Sequence, residues 1–272
     1  MSERTTPRDD ATWADPIAGI RLSEAAALDR LAGAQAALLG ERHDDAEDHA
    51  WQARVLAGLA DRRPVVAGFE MFPRHADPAL ADWVAGRSDL DGLLAATRWP
   101  EVWGFDPGLY LPLFALCRAR GIEMRGINID RPLVSLIGRD GWDALPAAER
   151  GWLSPAVPAG PAYRRYLFEV TGGARPGRQA QSPQDPAFDR FVRAQQAWDR
   201  SFACALAAAR AERPEALAVG IIGRGHLEFR LGVPPQLEDC GVGSALVALR
   251  SAGDAPEDPG PIADLVGPQI PD

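Results

Sequence analysis

The sequence predicts an α/β fold: a mainly parallel β-sheet covered by helices on both faces, with a helical or loop lid inserted late in the chain. Three observations carry this. Five short apolar runs lack the alternation of strands that face water on one side. Helical stretches separate them. Several of the runs end in ionisable residues, where an open parallel sheet gathers its ligand site.

The elements follow in order. Residues 1–20 are polar and read as a flexible N-terminal segment. Residues 23–33 read as a helix, with Ser23 as N-cap and Gly33 as stop. Ala34 to Leu39 is the first buried strand, leading into Gly40-Glu41-Arg42-His43. Asp44 or Asp45 caps the next helix, which carries Trp51, Val55, Leu56 and Leu59. The second strand is Val65 to Phe69 and runs into Glu70. The third is Ile122 to Ile129 and carries Asn128. The fourth is Leu217 to Ile222, followed by Gly223-Arg224-Gly225-His226, and Ser244 to Leu249 is a fifth. Further helices fall at 75–96, 108–120, 131–150 and 186–212. Residues 154–184, rich in Pro, Gly, Arg and Gln, read as the lid. The tail from 251 to 272 holds five Pro and reads as extended or disordered. The single domain is thus expected over residues 21–250.

Composition narrows the chemistry. The net charge of -9 argues against a nucleic-acid or anionic-membrane surface. All 29 basic residues are Arg, so Schiff-base, pyridoxal-phosphate and P-loop lysine chemistry are excluded. Cys117, Cys204 and Cys240 lie far apart in sequence, without a C-x-x-C, and suggest a reducing compartment. No apolar stretch approaches the ~20 residues of a membrane span. The start of the chain has no signal-peptide pattern, so the chain as given reads as cytoplasmic, or exported had a leader been removed.

The strand ends offer Glu41, His43, Glu70 and His226. Two imidazoles and two carboxylates suit a divalent metal ion. Without a metal, a Glu–His pair suits general-base work. For any one of these residues, capping of the next helix is the plainer reading; their convergence on one edge favours a site. His49, Asn128, Gln195 and Asp199 are expected behind them. For Gln195 and Asp199, which share a helix face, solvent is an equal alternative. Trp103, Tyr110 and Trp198 read first as packing, and His75 as solvated. With no G-x-S-x-G elbow, a nucleophilic hydrolase is poorly supported.

Taken in order, Gly40-Glu41-Arg42-His43 with His49, Glu70-Met71-Phe72, Trp103 with Tyr110 and Pro112, Gly126-Ile127-Asn128, Gln195 with Asp199, Gly223-Arg224-Gly225-His226 and Gly232-Val233-Pro234 form an ordered set over about residues 35–240. The set resembles the ChaN-like haem-binding family, also described as the cofacial haem-binding domain. That family is similar in its strand-end Glu/His cluster to the erythromycin-esterase and TIKI-type groups. The resemblance implies a protein of haem and iron handling that forms a homodimer around stacked haems, with a tyrosine ligand to iron. Tyr163, in Ala162-Tyr163-Arg164, is the expected ligand and Tyr166 its substitute. Arg164 and Arg165 are expected to pair with propionates or favour the phenolate. Two departures stand out: Glu169 to Gly173 lacks the histidine that relatives often carry there, and Asp199-Arg200-Ser201-Phe202-Ala203 replaces a common Asp-x-x-Met-Ala. The alternative reading is a metal-dependent hydrolase built on Glu41, His43, Glu70 and His226. A third is an interaction module without turnover.

Overall fold

A computed structural model describes residues 12–172, 179–251 and 260–268. Eight strands among them form one sheet: β1 (Trp13–Asp15), β2 (Ile20–Leu22), β3 (Ala36–Glu41), β4 (Val65–Pro73), β5 (Glu123–Asn128), β6 (Leu217–Gly223), β7 (Ala245–Leu249) and β8 (Leu265–Val266). Their order is β2-β1-β8-β7-β3-β6-β4-β5. β3 pairs in parallel with β6 and β7, and β4 with β5 and β6. β8 is parallel to β7, whereas β1 runs antiparallel to both β2 and β8. The sheet is mixed but mainly parallel, as the apolar runs predict.

Each central strand is buried on both sides because its alternate residues feed two cores. On one face, α1 (Glu24–Ala32), α2 (Ala46–Ala60), α3 (Asp77–Val84), α4 (Leu90–Ala96), α5 (Trp99–Val102) and α6 (Pro107–Arg120) pack on Ala37, Leu39, Phe69, Val219 and Ile221. On the other, α8 (Pro161–Val170), α9 (Asp189–Glu212) and α10 (Val233–Asp239) pack on Ala36, Leu38, Ile127, Ala218, Ile222 and Val247. Between them, α7 (Arg131–Asp140) buries Val134 and Ile137 against Ala197 of α9. No helix among the described residues is long and apolar enough to cross a membrane.

Caps fall where the side chains predict. Ser23 accepts from the Ala26 amide, and Asp45 rather than Asp44 accepts from Glu47 and Asp48. Two expected helices are shorter. The stretch 75–96 splits into α3 and α4 around Gly86, whose φ of +72° a helix cannot hold. Helix 131–150 stops at Asp140 because Gly141 turns to φ +83°.

Two further expectations need correction, and the lid, expected as helix or loop, is helical over part of its length. The segment 1–20 contributes strand β1 and the first residue of β2, and Trp13 is fully buried with its ring 5.7 Å from Trp51. The tail contributes β8, where Leu265 is fully buried and Asp264 accepts from the Val247 amide and Arg230. The lid carries α8, whose Tyr163, Tyr166, Leu167 and Phe168 are buried in the second core. Residues 1–11, 173–178, 252–259 and 269–272, parts of the expected flexible segment, lid and tail, lie outside the described residues.

Candidate functional site

At the carboxyl ends of the parallel strands lies a cleft of about 810 Å³, in the range of small-molecule sites. β3 delivers Glu41, β4 Glu70 and β5 Asn128; the turn after β6 delivers His226. β6 sits between β3 and β4, so these strand ends converge.

Glu41 is buried beneath the cleft. One oxygen lies 2.8 Å from Nδ1 of His43, and the other stands 2.9 Å from Nδ1 of His49. Burial pushes the Glu41 carboxyl up, but the two histidines more than offset this and hold it below the usual glutamate value. Nε2 of His49 donates to the His43 carbonyl at 3.2 Å. Both nitrogens of His49 therefore face acceptors only, an arrangement that suits the doubly protonated ring. Burial works against that cation, and Glu41 outweighs it. Tyr110, fully buried, donates to the His43 carbonyl at 3.0 Å and also reaches Glu41.

A second buried carboxylate stands on the opposite side. Asp199 of α9 lies 2.6 Å from Nδ1 of His226 and accepts from the Tyr163 hydroxyl. Burial pulls the His226 imidazolium down, but Asp199 and then Glu70 raise it to about 8. His43 is likewise held above the ordinary histidine value, burial being outweighed by Glu41 and Glu70.

Both rings are thus pinned at Nδ1, which leaves each Nε2 toward the cleft. Glu70 stands between them, 3.8 Å from His226 Nε2, and accepts from the Gly223 amide. A Cβ on Gly223 would lie 2.6 Å from His43 Cε1, so only glycine lets this ring sit against the backbone. The Asn128 amide donates to the Glu70 carbonyl at 2.6 Å, bracing that strand end.

Trp103 meets the His43 ring edge-on at 4.7 Å, and Trp198 faces His226 at 6.4 Å. Arg98, Arg131 and His75 complete the polar mouth, with the His75 side chain largely exposed. The cleft is therefore apolar on its aromatic walls and mixed in charge around its rim, where Glu101 and Asp130 stand beside the two arginines.

The structure brings together His43, Glu70, Asn128 and His226 at the cleft, with Glu41, His49 and Asp199 directly behind. Gln195 is half-buried and does not line the cleft; its neighbour Gln196 is the buried one, donating to the Val157 carbonyl at 2.6 Å. The four-ligand metal centre finds no counterpart. Glu41 faces His43 and His49 rather than the cleft, and no group of three or more His, Cys, Asp or Glu among the described residues is arranged to hold a metal ion.

The tyrosines also differ from expectation. Tyr163 and Tyr166 are buried and donate to Asp199 and Glu228. Burial and then those carboxylates push both phenols well above the ordinary value, opposite to the phenolate that neighbouring arginines were expected to favour. Arg164 faces Asp189 and the Pro183 carbonyl, and Arg165 is exposed. Tyr110, Trp103 and Trp198, read as packing, belong to the site. Tyr110 gave a signal, since it lies on a helix facing the His49 helix; Trp198 gave one as the neighbour of Asp199.

The family described as haem-binding uptake, Tiki superfamily, ChaN matches residues 27–237. No curated protein matches the chain. A solved structure of ChaN from Campylobacter jejuni, described with cofacial haem binding, superposes with a TM-score of 0.70 at 17% identity over 96% of this chain and 97% of that one. An erythromycin esterase variant, EreC H289N, aligns over 87% of this chain and 76% of that one at 11% identity and a TM-score of 0.48. The C-terminal region of Pasteurella multocida toxin aligns over 86% of this chain and 25% of that one, at 10% identity and a TM-score of 0.49.

Proposed function

This chain belongs to the ChaN family of haem-binding uptake proteins, and from that premise we propose that it binds haem in the strand-end cleft. The observation that carries the reading is the cleft's make-up: about 810 Å³ walled by Trp103 and Trp198, with Arg98 and Arg131 beside Glu101 and Asp130 at the rim and two pinned imidazoles inside. Aromatic walls suit the flat macrocycle, and guanidinium groups suit its propionates. Nε2 of His43 and of His226 supply nitrogen donors of the kind that hold haem iron. Tyr163 would hold the iron only after giving up Asp199, so the imidazoles come first in this reading. Haem bound here is cargo of an iron-handling protein, and a homodimer closing over two haems is part of the proposal.

The test is a titration of the purified protein with haemin, read by the Soret band and by size exclusion together. Saturation at one haem per chain is expected, with a shift to dimer. Loss of the Soret change in His43→Ala and His226→Ala but not in Tyr163→Phe supports imidazole ligation. The reverse pattern returns the ligand to Tyr163. Unsaturable binding overturns the haem reading.

One observation favours a second reading. Each cleft imidazole is fixed at Nδ1 by a buried carboxylate, the arrangement of a general acid or base. A hydrolase built this way would use His43 and His226 with Glu70 between them. Because both imidazoliums are held up, base catalysis would rise with pH and level off above about 8 for His226. A flat or absent pH response with a chromogenic ester overturns it.

A further inference from the structure

We propose that Cys204 and Cys240 form a reversible disulfide that staples α9 to α10. The two lie far apart in sequence, yet their sulfurs stand 3.8 Å apart. Cys204 sits in the body of α9, and Cys240 ends α10 as its C-cap. The bond requires the sulfurs to close to ~2.0 Å.

Their surroundings divide the roles. The Ser154 hydroxyl lies 3.9 Å from the Cys204 sulfur, and Arg200 donates to that same hydroxyl. Arg200 also pairs at 2.7 Å with Asp239, the residue before Cys240. A guanidinium and hydroxyl beside a thiol favour the thiolate. The Cys240 thiol, followed by Ser154 and Arg200, offsets burial and brings the Cys204 thiol below its ordinary value. Cys240 is pushed the other way by its neighbour Cys204. It is also the more exposed of the two. The Ser154 hydroxyl and the Arg200 guanidinium behind it assign Cys204 as the attacking sulfur, with Cys240 resolving.

A peroxide is the oxidant by class. The Cys204 thiolate attacks one peroxide oxygen, the O–O bond breaks, and the hydroxide expelled takes up the proton the thiol gave up and leaves as water, with a sulfenic acid on Cys204. The Cys240 sulfur then attacks the sulfenic sulfur, forming the S–S bond and releasing a second water. Two thiols lose two electrons and one peroxide gains them. A small thiol reductant reverses the bond by exchange.

The staple would act beside the cleft. α9 carries Asp199, which pins His226. α10 begins after Gly232, where a Cβ would lie 2.4 Å from the His226 carbonyl oxygen and 3.0 Å from Asp199. The bond therefore ties together the two elements that flank the Asp199–His226 pair, whatever the cleft binds.

Cys117 is the internal control. It lies fully buried in the opposite core, where burial pushes its thiol up to about 12. The experiment treats reduced full-length protein with hydrogen peroxide, then denatures it and labels free thiols with N-ethylmaleimide. Labelled cysteines are expected to fall from three to one, leaving Cys117, with a peptide linking Cys204 to Cys240. Dithiothreitol should restore all three. In Cys240→Ser, oxidation should stop at a sulfenic acid on Cys204 that dimedone traps. Three labels after peroxide overturn the proposal. So does sulfinic acid on Cys204 while Cys240 still labels, or a bond between two chains. Should Cys240→Ser fail to fold, the count on the unsubstituted protein decides alone.

Discussion

Glu41 and Asp199 sit on opposite sides of the cleft, each with a histidine Nδ1 and a tyrosine hydroxyl within reach. Both are almost wholly buried. The difference is where the partners come from. Glu41 takes His43 and His49 from its own strand end and the following helix. Asp199 takes Tyr163 from α8 and His226 from the turn after β6. Glu41 also carries two histidines where Asp199 carries one. The first arrangement is local in its two histidines, with only Tyr110 reaching over from α6; the second is assembled wholly from three distant segments and holds only while those segments stay docked.

The sharpest way to break this comparison is to remove the two carboxylates. Glu41→Ala leaves His43 and His49 without their counter-charge and should cost about 3–5 kcal/mol. Asp199→Asn keeps an acceptor and the side-chain volume, and should cost about 1–3 kcal/mol. Urea denaturation of both variants checks the order; a larger loss for Asp199→Asn would reverse it.

A smaller effect comes from pH. The folded value of His226, about 8, lies above its ordinary 6.5. Its contribution is whole below pH 6.5 and lost as pH rises through 8, and amounts to about 2 kcal/mol. The stability gap between wild type and His226→Gln should therefore close between pH 6.5 and 8. Glu41 moves the other way. Its folded value lies below 4.5, so its contribution is present above that pH and lost on acidification. A gap for His226→Gln that widens with rising pH would contradict the assignment of Asp199 as its partner.

The tyrosines give a finer difference. Tyr163→Phe leaves a buried Asp199 oxygen short of a donor and should cost about 1–2 kcal/mol. Tyr110→Phe removes a hydrogen bond made chiefly to the neutral His43 carbonyl, at 3.0 Å, and should cost about 1 kcal/mol. Thermal unfolding of the pair measures it; equal losses would show that a charged acceptor does not separate the two arms.

The same contrast explains what was legible in the sequence. The central strands read out because each is a continuous apolar run. Glu41, His43 and His49 read out because one strand–helix passage holds them, Asn128 and His226 because they lie at or just beyond strand ends, and Glu70 because it follows the apolar run, where β4 stops pairing with β6 although the strand goes on to Pro73. Asp199 stayed ambiguous, since a helix face does not say what it meets. The burial of Tyr163 was invisible because it depends on α8 docking against α9. β1, β2 and β8, of three, three and two residues, are too short to carry a pattern and exist only through pairing at the sheet edge.

The place of β6 has a consequence in time. It lies between β3 and β4, yet it is made long after them: Glu70 accepts from the Gly223 amide across 153 residues. While a ribosome is still short of residue 217, β3 and β4 have no shared neighbour. Their strand ends cannot be drawn together, and His226 does not yet exist. The cleft is born only with the last fifth of the chain, so a nascent or truncated product exposes strand edges rather than a half-competent site. Folding of such long-range parallel pairing is slow, and the cleft residues come together only once the chain has grown past residue 226.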